Sequence, residues 1–179
     1  MVIREFDEDL RHRHIVSYSP IYAEVFSLLK AFVESSLNHV QLIHIGSTAV
    51  PGLRGKPMID AAAVTAAPDL RTVQNEFGLL GFHSREVRTD HDDKPYTCGS
   101  VEFEDGNYNV NIHICRENDP VHTDALAFIE KLKNDAQLRS EYESVKDSAH
   151  RKDPVNPEIY NSYKDEFISS IYESIKHNS

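Results

Sequence analysis

Cysteine is scarce in this chain: Cys98 and Cys115 are the only two among 179 residues, and no CxxC spacing occurs. With no recognisable secretory leader either, a reduced, cytoplasmic setting is expected rather than a disulfide scaffold. Long hydrophobic runs are missing too. None approaches the roughly 18 residues of a membrane span, so no membrane partner is expected. Positive charge is in the minority, with 19 Lys and Arg against 29 Asp and Glu, a formal net charge of −10. That balance argues against an extended nucleic-acid surface and leaves room only for a local basic pocket.

What remains is an ordinary globular composition, 40% hydrophobic and 27% charged, in a length that suits a single domain with a sizeable core. Ten histidines are scattered, mostly as expected surface residues. Residues 1–18, with "RHRH" at 11–14, show no clear period and read as an N-terminal arm. Ser19-Pro20 is a helix start, and Tyr22, Val25, Phe26, Leu29, Phe32 and Val33 keep helical spacing to about Leu37. "VQLIHI" at 40–45 and "PMIDAAAV" at 57–64 read as buried strands, and Pro68 opens a second helix that ends near Gly81. "YTCGSVEF" and "YNVNIHIC" flank the Asp-Gly turn of "EDGN", a hairpin signal. From Pro120 onward the pattern is helical, with breaks near Asn134 and at "KDPVNP". Strands first and helices last predict an α+β domain: an α/β core over 19–118 and a cap of C-terminal helices over 119–179.

The densest cluster of polar signals is "HIGSTAVPGLRGKPMID", His44 to Asp60. Gly46 lets the chain turn sharply after a strand and can present consecutive N–H groups to an anion. Ser47 and Thr48 add hydroxyls, and Arg54 and Lys56 can neutralise phosphate oxygens. A polar surface loop whose glycines only serve turns is the alternative. A P-loop is excluded: Val50 stands where its first glycine belongs, and Pro57 where its hydroxyl belongs.

Asp60 alternates onto one strand face with Met58, Ala62 and Val64, and a carboxylate there needs a cation or hydrogen bonds to offset desolvation. Metal coordination and anchoring of the adjacent loop both satisfy that need. In "NVNIHIC", Asn109, Asn111 and His113 share a face. Such a row is either solvated or lines a cleft with Asp60, where His113 would act as metal ligand, phosphate contact or proton carrier. His44 joins that cleft or caps the loop.

The long motif closely resembles the signature of GrpB proteins: His-Ile-Gly-Ser-Thr-(Ser/Ala)-Val-Pro-Gly-Leu, then Lys-Pro and an aspartate strand. "VSYSPIYAEVF", "NIHI", "LRSEYESVK" and "YNSYKDEFI" extend the resemblance over roughly residues 15–175. It implies a single GrpB-like domain over 1–179 with a nucleotidyltransferase-like mixed β-sheet, flanking helices and a C-terminal helical cap. Similar domains occur fused to dephospho-CoA kinase. The superfamily pattern also implies a Gly-Ser turn, an aspartate, a second carboxylate two residues on, and a third on a later strand. Gly46, Ser47 and Asp60 match it. Ala62 replaces the second carboxylate, and Asn109, Asn111 and His113 stand where the third is expected. The carboxylates of the usual two-metal arrangement are therefore incomplete in this sequence.

This chain also departs from its relatives at Asn111, where many carry a second histidine, and in "FIEKLK" at 128–133, where Ile129 and Lys133 replace arginines. The spacing of Tyr142 with Lys146 and of Tyr160 with Lys164 survives, and each pair shares a helix face. One reading is amphipathic packing with the lysines snorkelling outward; the other is a grip on phosphate. The resemblance thus implies a Mg²⁺-dependent transferase acting on a nucleotide or phosphorylated small molecule, with Asp60 and His113 as catalytic residues and Asp60 as metal ligand. Gly46, Ser47, Thr48, Arg54, Lys56, Lys146 and Lys164 are then its phosphate contacts. The competing expectation is a non-catalytic module that binds the same ligands, and a pure scaffold comes third.

Overall fold

A computed structural model describes residues 1–11, 15–84, 94–152 and 157–177. Most of the "RHRH" run and of the break at "KDPVNP" lies outside the described residues. The element order is β1 (Ile3–Arg4), α1 (Glu8–Arg11), α2 (Ile21–Ser36), β2 (Val40–Ile45), a 3₁₀ turn (Ser47–Ala49), β3 (Met58–Thr65), α3 (Leu70–Leu79), β4 (Tyr96–Phe103), β5 (Gly106–Cys115), α4 (Pro120–Asn134), α5 (Ala136–Lys152) and α6 (Pro157–His177). The five strands form one mixed sheet in the order β1-β4-β5-β3-β2. Only β3 and β5 run parallel; the other neighbours are antiparallel. The expected α+β architecture, a mixed sheet with flanking helices and a helical cap, is what the chain adopts.

Strand alternation sorts the side chains into two layers. Ala61, Ala63, Val110, Ile112 and Ile114 face α2 and α3, where Val25, Leu29, Val33, Val73 and Phe77 complete the larger core. Ile45, Ala62, Val64 and Cys115 face the opposite way and lie under Phe128, Ile129, Leu132, Leu138 and Tyr142 of α4 and α5. Helix starts follow the capping chemistry in the sequence. Asp69 accepts from the Arg71 N–H at 2.9 Å, Asp119 from Val121, and Asp135 from Leu138.

The N-terminal segment, expected as an arm, contributes more than that. β1 pairs with β4 through Ile3↔Val101 and Arg4↔Ser100, and Phe6 is buried. The Asn109 side chain then clasps the backbone of Asp7, accepting its N–H at 2.9 Å and donating to its carbonyl at 2.6 Å. A buried amide paired with a backbone unit on both sides leaves few donors unmet. The two-residue length of β1 explains why no periodicity announced it.

Candidate functional site

Asp60 is placed by register. It sits opposite Ile45, the last residue of β2, and opposite Asn111 of β5. The Asn111 amide donates to Asp60 Oδ1 at 3.3 Å and touches Met58 Sδ at 3.2 Å. Ala62 and His113 form the next pair on the same face, so His113 and Asp60 share one surface of the sheet. Gly46 comes directly after β2 with φ 73° and ψ −170°. A Cβ there would fall 2.6 Å from Asp60 Oδ2, so the turn is packed onto the carboxylate itself. Glycine is required for both conformation and space.

Thr48 and His44 serve the turn from beneath. Thr48 is buried, and its hydroxyl donates to the Met58 carbonyl at 3.1 Å. Having spent its one proton there, Thr48 Oγ1 accepts from His44 Nε2 at 3.0 Å, which assigns the proton of the neutral ring to Nε2. His44 also stacks on Phe26, with centroids 4.4 Å apart. Burial, reinforced by Lys133, pushes its pKa down to about 4. These two residues tie β2, the turn and β3 together, and the Thr48 hydroxyl is committed to that framework rather than turned toward an anion.

Arg54, expected to neutralise a phosphate, is held by α5. Its guanidinium pairs with Asp147 at 3.0 Å and its backbone N–H donates to Glu143 at 2.7 Å. The Arg54 carbonyl accepts from Lys146 Nζ. The loop from 50 to 56 is thereby stapled to one face of α5.

Lys146 does not snorkel outward. It lies in the packed stripe of α5 with Leu138, Tyr142 and Ala149 and is 0% exposed. Its ammonium stands 4.6 Å from the Tyr142 ring centroid, and burial lowers its pKa to about 8. Tyr142 is buried as well. Its phenol is pushed upward by burial, then by Tyr160 and Asp60, and a hydrogen bond between the Tyr142 and Ser47 side chains opposes that shift. Tyr160 of α6 is likewise raised by burial and by Asp60. Over its ring lie Lys56 Nζ at 4.1 Å from the centroid and Lys164 Nζ at 5.7 Å.

The structure thus brings Gly46, Ser47, Lys56, Asp60, Lys146 and Lys164 into one constellation, roofed by Tyr142 and Tyr160, with His113 on the adjoining strand. Arg54 and Thr48 lie at its margin with other partners. Sequence reasoning left the two Tyr–Lys pairs between outward packing and a cleft lining, and missed the Asn111–Asp60 bond and the Glu143 and Asp147 anchors of the loop. The four-residue spacing of each Tyr–Lys pair was the available signal for the tyrosines. Among the described residues, no cluster of three or more His, Cys, Asp or Glu side chains is placed to hold a metal ion. No helix among them is long and apolar enough to cross a membrane.

A mixed sheet carrying a Gly-Ser turn beside a strand aspartate is the frame of the nucleotidyltransferase-like fold. The Cid1 poly(U) polymerase superposes with a TM-score of 0.50 at 16% identity, over 83% of this chain and 43% of Cid1. A Cid1 structure described as Mg 3'-dATP bound gives 0.52. More specifically, the chain belongs to the GrpB protein family, which it matches over residues 13–174. It is 23% identical to the glutamate-rich protein GrpB of Alkalihalophilus pseudofirmus, over 88% of this chain and 90% of that one. The crystal structure of the conserved protein GrpB from Enterococcus faecalis superposes with a TM-score of 0.68 at 20% identity, over 90% of this chain and 99% of that one.

Proposed function

We propose that this GrpB-family chain is a nucleotidyltransferase-like transferase that acts, with Mg²⁺, on a nucleotide or a phosphorylated small molecule. The observation that carries this reading is the convergence of the Gly46–Ser47 turn, Asp60 and the lysine-bearing faces of α5 and α6 on a fold of that type. Ser47 and neighbouring backbone N–H groups would seat phosphate oxygens, with Lys56 balancing their charge. Asp60 would hold the Mg²⁺. A single carboxylate fits this hard cation only when ligand phosphates and water complete its shell. When bound, the ion polarises a phosphoryl oxygen. His113 would take the proton from the attacking hydroxyl as its oxygen bonds to phosphorus and the bond to the leaving phosphate breaks.

A specific observation favours the second reading, a binding module without turnover: Ala62 is buried and apolar where a second carboxylate would share the metal. A thermal-shift screen of nucleotides and sugar phosphates, with and without Mg²⁺, followed by ³¹P NMR of the hits, separates the two. Ligand-dependent stabilisation with new phosphorus resonances supports the transferase; stabilisation alone supports the module. Ser47→Ala and Asp60→Asn should each reduce the Mg²⁺-dependent shift. Gly46→Val is a poor test, because its side chain would collide with Asp60.

A further inference from the structure

The two-metal arrangement of the nucleotidyltransferase pattern does not fit this chain. Asp60 has Asn111 and Ala62 around it on the sheet rather than further carboxylates, and two divalent ions need shared acidic ligands. What the site holds instead is ammonium groups. Lys56 and Lys164 both lie over the Tyr160 ring, at 4.1 and 5.7 Å from its centroid, and Tyr160 is close enough to Asp60 to feel its charge. Lys146 is coupled to Lys164 and sits against Tyr142, which also feels Asp60.

Two further carboxylates lie nearby. Glu143 and Asp147 both engage Arg54, through its backbone N–H and its guanidinium. Both also act on Lys146, so Arg54 and the three lysines together outnumber Asp60, Glu143 and Asp147 by one, in a chain whose net charge is −10. Burying Lys146 completely is costly in isolation, since its cation is disfavoured by desolvation. Packing alone would be served better by methionine or leucine. A dianionic or more highly charged ligand entering beside Asp60 would meet the excess charge directly.

Resting on the phosphate-site reading above, we infer that the lysines at 56, 146 and 164 supply the charge that a second metal ion would supply elsewhere, so that a chain of two or more phosphates binds here without any divalent ion. The lysine ammonium is a compact point charge suited to that role. Mg²⁺ at Asp60 then adds to binding but is not a condition of it.

The test is calorimetric titration of the full chain with inorganic tripolyphosphate and with orthophosphate, in EDTA and in Mg²⁺. In EDTA, tripolyphosphate should bind about tenfold or more tightly than orthophosphate. Lys164→Met and Lys56→Met, at half-exposed positions that leave folding intact, should each weaken that metal-free binding by about tenfold, as should the buried Lys146→Met. The exposed Lys94→Met should leave it unchanged. Asp60→Asn should strengthen metal-free binding, because it removes a negative charge beside the entering anion, while abolishing the gain from Mg²⁺. Tripolyphosphate binding seen only with Mg²⁺ would overturn the inference and leave the transferase reading standing. No binding under either condition would overturn both.

Discussion

At Gly46 two constraints coincide in one residue: a backbone conformation open to glycine alone, and a missing Cβ whose space the Asp60 carboxylate occupies. They can be separated. Gly46→Ala is expected to destabilise the fold by about 3 kcal/mol, and by less in an Asp60→Ala background, where the carboxylate is gone and the backbone strain and the 2.9 Å approach to the residue-60 Cβ remain. Urea denaturation of the four proteins measures the coupling, and identical costs in both backgrounds would show that the carboxylate contributes none of it. His44 makes a second residue-scale prediction. Its folded pKa of about 4 lies below the ordinary value of 6.5, so the unfolded chain binds a proton that the folded one refuses. Stability is therefore full above about pH 6.5 and declines as pH falls toward 4, by about 1.4 kcal/mol per unit of displacement. His44→Gln, which keeps a donor for Thr48 but cannot titrate, should flatten the acid limb of a plot of stability against pH.

The elements around the site differ in how they are held, and that difference has a measurable signature. β2 and β3 are locked by a six-residue antiparallel register, whereas the loop between them depends on α5 through Arg54, Glu143, Asp147 and Lys146. In Glu143→Ala, amide exchange at Leu53, Arg54 and Gly55 should quicken by about tenfold while β3 amides stay protected, as read by hydrogen-exchange NMR. An even increase across loop and strands would argue against a local staple. The same contrast explains what could be read from the sequence. Alternation in "MIDAAAV" and "NVNIHIC" announces strands and their faces, and Asp119-Pro120 announces α4, because those signals are local. The Asn109 clasp on Asp7 and the Arg54 staple join residues about a hundred positions apart, and neither partner carries a mark of the other. Lys146 was harder still: helical spacing assigns it to the packed stripe, where a lysine is ordinarily expected to turn outward, and only the convergence of loop, α5 and α6 explains why it stays in.

Across the described residues, one sheet separates the two larger cores, and the site lies on the side covered by α4, α5 and α6. Because Ile45, Ala62, Val64 and Cys115 are sealed by those helices, the cap belongs to the same cooperative unit as the sheet. Thermal unfolding followed by calorimetry should show a single transition, and a chain ended at residue 118 should fail to fold. Two resolved transitions would instead define the helices as an independent unit. The tyrosine walls of the site carry a last, practical consequence. The chain has no tryptophan, so its near-ultraviolet emission comes from eight tyrosines, of which Tyr142 and Tyr160 stand beside Asp60 and the lysines. An anion entering there changes the field on both rings at once. The protein is in effect its own optical probe: intrinsic tyrosine fluorescence should report occupancy without a label, and Tyr160→Phe should leave the folded protein with a smaller ligand-induced change in emission.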